Sequence, residues 1–226
     1  MDWHFCGGSL IRVRDESEEG EIVLTAAHCV TADPKVGLGN ISDWSVVLGT
    51  HTRSPKHIPG VERRRVVEFQ YPNEFKELVN DIALARMDKP VRFADTIRPV
   101  CMPPQNDHVP AGRLCMASGW GRNDSKLQTQ QDELKQALTP VHLIEFCQNS
   151  WYYQQQAWTY AFLCARALNA SSATCNGDSG GPLVCQGADG GWTIYGVASY
   201  VPPKGCATVD MPAVFARVST YSNWVR

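Results

Sequence analysis

The chain of 226 residues is long enough to bury a sizeable core, and all-β folds of this size commonly count as one domain built from two halves. Hydrophobic residues at 43% and charged residues at 19%, with 18 Gly and 14 Pro spread along the chain, argue against disorder and repeat arrays and favour many short strands over long helices. A net charge of -2 excludes the strongly basic face of a nucleic-acid binder, so no nucleic-acid partner is expected.

In chain order, Met1-Asp2-Trp3-His4 has neither the basic start nor the apolar stretch of a signal peptide, and no later apolar run reaches the length of a membrane span. Ser9-Leu10-Ile11 and Val23-Leu24-Thr25 read as strands, separated by the acidic stretch of residues 15–21, which solubilises a hairpin or repels acidic residues on the leaving-group side of a substrate. Strand-like runs follow at residues 44–48, 65–69, 82–85 and 192–197, divided by turn clusters whose spacing suits a sandwich or barrels. Arg63-Arg64-Arg65, with Arg53 and Lys56 nearby, reads first as a solvated loop and second as an exosite for acidic substrates or heparin. The proline-bearing residues 98–107 form the candidate linker, giving a single 1–226 domain with halves 1–104 and 105–226. Only Leu143-Ile144-Glu145-Phe146 and the tail from Thr220 look helical, the tail capped by Thr220 or Ser219.

Nine cysteines without paired CxxC spacing point to disulfides in an oxidising compartment rather than to zinc, so a secreted location is expected. The sequons at Asn40, Asn123 and Asn169 agree with export and glycosylation. The odd cysteine count leaves one thiol for a bond to another chain or segment.

The chemistry concentrates at Cys175-Asn176-Gly177-Asp178-Ser179-Gly180-Gly181-Pro182. A serine between glycines on a sharp turn exposes its Oγ while neighbouring N–H groups converge on a developing oxyanion, which makes Ser179 the candidate nucleophile. Five residues of GxSxG form are equally a turn of small residues. An α/β-hydrolase elbow needs its histidine after the serine, whereas the histidines here end at His142.

The order histidine, aspartate, serine is left, with Thr25-Ala26-Ala27-His28-Cys29 and Asn80-Asp81-Ile82-Ala83-Leu84 supplying the first two members. With Cys6-Gly7-Gly8-Ser9-Leu10, Ser118-Gly119-Trp120-Gly121 and Gly177-Asp178-Ser179-Gly180-Gly181-Pro182 in the same order, the chain resembles the chymotrypsin-like (trypsin-fold) serine endopeptidases over essentially its whole length. The resemblance implies an all-β fold of two antiparallel β-barrels, with the active site in the cleft between them and a short C-terminal helix. His28 and Asp81 would lie on the first barrel and Ser179 on the second. It implies His28 as general base, Asp81 as its orienting carboxylate, and the N–H groups of Gly177 and Ser179 as the oxyanion hole.

By the same resemblance the specificity pocket has Ala173 and Thr174 at its floor and Val201 and Ala213 as walls, while Ser199-Tyr200-Val201 pairs with the substrate as an added strand. No carboxylate waits at the floor and Val201 narrows the entrance, so cleavage after small or medium aliphatic residues is expected, an elastase-like preference, with a chymotrypsin-like one as alternative. The family pairs Cys6 with Cys29, Cys115 with Cys185, Cys147 with Cys164, and Cys175 with Cys206. It leaves Cys101 for an upstream propeptide or light chain, and protein protease inhibitors are expected partners besides protein or peptide substrates. The loop around Glu62, where some relatives bind calcium, is rich in arginine and lysine, so neither metal nor cofactor is expected. A non-catalytic homologue acting as a binding module is the other reading, and an intact triad weighs against it.

Family members activate by a cleavage whose new N-terminal ammonium inserts beside the aspartate preceding the nucleophile, here Asp178. The sequence begins just before Cys6-Gly7-Gly8, so the first strand of the first barrel is expected to be missing, and the Asp178 loop is expected to move toward water and spoil the oxyanion hole.

Overall fold

Turn residues divide the chain into short strands whose buried faces meet in two sheets. The computed structural model describes residues 4–13, 17–31, 40–53, 58–76, 79–122, 129–149, 160–168, 173–201, 206 and 212–226. The first sheet holds β1 (Ser9–Ile11), β2 (Glu19–Thr25), β3 (Ser45–Leu48), β4 (Glu62–Gln70) and β5 (Ala83–Arg92), antiparallel in the order β1-β2-β5-β4-β3. The second is a closed barrel of β6 (Leu114–Gly119), β7 (Lys135–His142), β8 (Phe162–Ala165), β9 (Pro182–Gln186), β10 (Trp192–Tyr200) and β11 (Ala213–Arg217). All pairings in the barrel are antiparallel, and closure leaves no strand edge to pair with another chain. The architecture is therefore all-β, one closed barrel beside one half-barrel, as the sequence leads one to expect.

Each sheet has its own core. Val23, Val66, Met87 and Val91 pack in the first and Val141, Leu163, Leu183 and Phe215 in the second. A third cluster joins them: Ile11, Leu24 and Ile82 from the first sheet meet Ile194 and Val197 of β10 and Val218 and Tyr221 near the C-terminus. Dry apolar packing of this kind holds the two halves in one arrangement, so residues at its rim keep fixed distances across the cleft. The connecting stretch is pinned to both sheets as well, since Val100 N–H donates to Leu10 O and Cys101 N–H to Trp192 O, both at 2.9 Å.

Several local expectations are corrected. The arginine run is not a loop: Arg63, Arg64 and Arg65 lie within β4, where Arg64 pairs with Glu62 and Arg65 with Asp88. Glu62 thus sits in a strand, not in a loop. Residues 19–21 of the acidic stretch already belong to β2. A short helix without a sequence signal, α1 (Ala27–Val30), carries His28, while the expected helix at 143–146 forms as α2 (Ile144–Gln148). The tail forms a 3-10 turn at Val218–Thr220 and then α3 (Ser222–Val225), whose N-cap is Tyr221 with no side-chain cap. Thr220 Oγ1 donates to Tyr160 O instead, and Ser219 Oγ is buried without a partner, so neither caps the helix.

Candidate active site

The cleft between the sheets collects its polar groups from chain segments that the apolar seam brings together. α1 starts two residues after β2 ends, which presents His28 at the seam beside the buried Ala26 and Cys29. Asp81 follows Asn80, whose φ of 58° lies in the left-handed region that asparagine tolerates better than most residues. Tyr221 Oη donates to Asn80 Oδ1 at 2.7 Å and Asn80 Nδ2 donates to Glu74 O at 3.1 Å, so that turn is held from two sides.

Asp81 is fully buried, and a carboxylate out of water needs donors. It has three. His28 N–H reaches Oδ1 at 2.8 Å, His28 Nδ1 lies 2.7 Å from Oδ2, and Ser199 Oγ donates to Oδ2 at 2.5 Å. With Nδ1 turned to the carboxylate, the imidazole is oriented with Nε2 directed away, where the Cys29 sulfur lies 3.8 Å distant.

Ser199 has a contact beyond its expected part. It lies in β10, but its buried side chain turns to Asp81. The two are 118 residues apart, and no local pattern marks the contact. Tyr200 ends β10, Val201 follows it, and Ala213 opens β11 beside Ala165.

Ser179 stands on a tight turn pinned at both ends. Asp178 N–H donates to Cys175 O and Gly181 N–H to Asp178 O, each at 2.9 Å; Gly180 N–H donates to Ala198 O at 2.8 Å, and Gly7 N–H to Ser179 O at 2.7 Å. Gly177 and Gly180 have φ of 99° and 76°, where a side chain is strained, and a Cβ on Gly180 would come within 2.5 Å of Gly7 O. The N–H groups of Gly177 and Ser179 have no hydrogen-bond partner among the described residues. The Gly177 carbonyl accepts from His4 Nε2 at 3.0 Å, so its peptide plane is held from the carbonyl side. Burial pushes the His4 pKa below 6.5, and the Arg53 charge pushes the same way. No hydrogen bond joins Ser179 Oγ to His28.

The carboxylate of Asp178 does not move to water. Gly121 N–H donates to its Oδ1 at 2.8 Å and Cys175 N–H to its Oδ2 at 2.9 Å, and a Cβ on Gly119 or Gly121 would overlap it. Two backbone donors and two glycines that admit close approach keep the side chain inward, contrary to expectation. Burial still outweighs those donors and raises its pKa above 3.8, and no cation among the described residues pairs with it. Asp178 borders a cavity of about 240 Å³ shared with Gly119, Gly121, Ala173, Thr174 and Phe215. Ala173 and Thr174, expected at a pocket floor, therefore line the same cavity as Asp178.

All four family disulfides are present: Cys6–Cys29, Cys115–Cys185, Cys147–Cys164 and Cys175–Cys206. Cys101 is an exposed free thiol. Among the described residues, Cys6, His28 and Cys29 form one grouping of metal-ligand types, but both sulfurs are spent in a disulfide and neither is a thiolate. Asn40 is exposed and caps the 3-10 turn Ile41–Asp43, while Asn123, Asn169 and Lys56 lie outside the described residues. No helix among the described residues is long and apolar enough to cross a membrane.

The Trypsin family model matches residues 2–225. The chain belongs to the trypsin family, whose members are chymotrypsin-like serine proteases. It is 35% identical to proproteinase E of Bos taurus over 98% of this chain and 82% of that protein. It is 34% identical to chymotrypsin-like elastase family member 3B of Homo sapiens over 99% and 77%. With transmembrane protease serine 5 of Homo sapiens the identity is 33% over 98% of this chain, which spans only 46% of that relative's length.

Proposed function

We propose that this trypsin-family chain is the catalytic domain of a secreted serine endopeptidase in which Ser179 attacks the peptide carbonyl, His28 is the base and Asp81 orients it. The observation that carries the reading is the 2.7 Å contact of His28 Nδ1 with a buried Asp81 that has two further donors. A serine hydroxyl needs a base to become nucleophilic at neutral pH, and Nε2 is the ring nitrogen left to take its proton and return it to the leaving amine. Asp81 stabilises the imidazolium that forms between those two transfers. The N–H groups of Gly177 and Ser179, without a hydrogen-bond partner among the described residues, supply the oxyanion donors. The absence of a Ser179–His28 bond fits a substrate-free site, where such bonds are often long and tighten in the complex.

Four disulfides support an oxidising, extracellular setting. Ala173 and Thr174 are small and uncharged, and the Asp178 carboxylate that borders the same cavity is turned to the N–H groups of Gly121 and Cys175, which favours an aliphatic side chain before the cut. Asp178, enclosed and without a cation, is the partner for a new N-terminal ammonium, and Cys101 is the tether for an upstream segment. Activity toward a peptide substrate, lost on Ser179→Ala, tests the reading; undiminished activity in that variant excludes it.

A further inference from the structure

Two polar side chains near the His4–Gly177 contact, Arg53 and Gln130, have no use in the chemistry above. Residues 51–53 and 131–134 are laced together there: Gln131 N–H donates to Trp120 O, Leu134 N–H to His51 O, and Arg53 N–H to Asp132 O at 2.6 Å. Trp120 Nε1 also donates to His51 O and its ring packs edge-on against His4, whose Nε2 bonds the Gly177 carbonyl. Gln130 thereby lies against Gly177, and Arg53 is near enough to His4 for its charge to act on that ring.

Arg53 is unspent. Its Nε is buried without a hydrogen-bond partner, and it forms no ion pair among the described residues. Of the nearby acids, Glu133 is taken by Lys135 at 3.0 Å and Asp132 meets Arg53 only through its backbone carbonyl. Gln130 lies so close to Gly177 that a Cβ there would stand 2.5 Å from Nε2.

We propose that Arg53 and Gln130 form a subsite for the leaving-group side of the substrate and select an acidic side chain within the first three residues after the cut. This rests on Ser179 as nucleophile. Residues before the cut are taken by the end of β10, so the chain beyond the cut must leave past Gly177 and His4, toward these two side chains. The guanidinium is half-buried and outside any ion pair among the described residues, so its outer nitrogens are left to take a carboxylate, and a substrate Asp or Glu supplies one. The Gln130 amide adds a neutral donor or acceptor for the peptide backbone beside it.

The test uses the full-length activated protein and peptides identical before the cut, with Asp, Ala or Lys placed in turn at each of the first three positions after it. At one of them kcat/KM for Asp should exceed that for Ala by about five- to tenfold, the size of a partly exposed charge-assisted pair, with Lys poorest. Arg53→Gln should erase the difference between the Asp and Ala peptides, and Arg53→Glu should reverse it toward Lys. Equal rates for Asp, Ala and Lys at all three positions overturn the inference, as does a preference that survives in Arg53→Gln. The unsubstituted protein decides the preference by itself, so a poorly folding variant does not shelter it. Failure to cleave any peptide, together with failure of an organophosphate to label Ser179, would instead overturn the protease reading beneath it.

Discussion

Ser199 Oγ and Asp81 Oδ2 stand 2.5 Å apart, joining the last turn of β10 to the carboxylate that holds His28. The contact links the second barrel to a residue of the first, so it fixes the imidazole across the cleft as well as along its own chain. Removing one bond to a buried carboxylate costs about 1.5–3 kcal/mol when the acceptor is charged. Ser199→Ala should therefore lower kcat by about 10- to 150-fold with KM nearly unchanged, measured by steady-state peptide hydrolysis. An unchanged kcat removes Ser199 from the positioning of His28.

Asp81→Asn should be far more damaging, because an amide facing His28 Nδ1 favours the wrong tautomer. A loss of about 10⁴ in kcat is expected at neutral pH, with the fold retained by circular dichroism. A loss below tenfold contradicts the role given to Asp81.

How far these contacts were legible in the sequence depended on their range. His28, Asp81 and Ser179 carry local motifs, and the four disulfide pairs follow from the family pattern. The Ser199–Asp81 bond and the His4–Gly177 bond bridge 118 and 173 residues, and no periodicity encodes such a meeting. For the arginine run charge alone suggests solvent, whereas β4 buries Val66 and pairs Arg64 with Glu62 and Arg65 with Asp88. The stay of Asp178 inside was also invisible, since it rests on backbone donors from Gly121 and Cys175.

Asp178 makes stability depend on pH. Its folded pKa lies above 3.8, so its contribution is fully present below that value and is lost as pH rises through the raised folded pKa. Denaturant midpoints of the 226-residue chain should fall as pH rises across that window, and Asp178→Asn should flatten the slope. A stability that climbs through the same window, with no difference between the two proteins, excludes an uncompensated carboxylate.

The Cys175–Cys206 bridge closes a separation of 31 residues beside the Ser179 turn. On the chain-entropy account its removal costs about 3–4 kcal/mol. The double variant Cys175→Ala/Cys206→Ala should show that loss in urea unfolding, and peptide mapping without reduction should recover the pair in the parent. A parent in which Cys175 is joined elsewhere contradicts this arrangement of the turn.

Peptides varying only the residue before the cut should be turned over fastest after Ala, Val or Leu, with differences of about 1–3 kcal/mol per methylene rather than absolute selection. Fastest turnover after Arg or Lys excludes a floor made by Ala173 and Thr174.

The most direct test of the account labels the activated full-length protein with an organophosphate and locates the adduct by mass spectrometry. The account predicts one adduct, on Ser179, formed in proportion to lost peptidase activity and abolished by His28→Ala. Peptidase activity that persists with Ser179 unlabelled, or an adduct on another residue that tracks the loss, would contradict it.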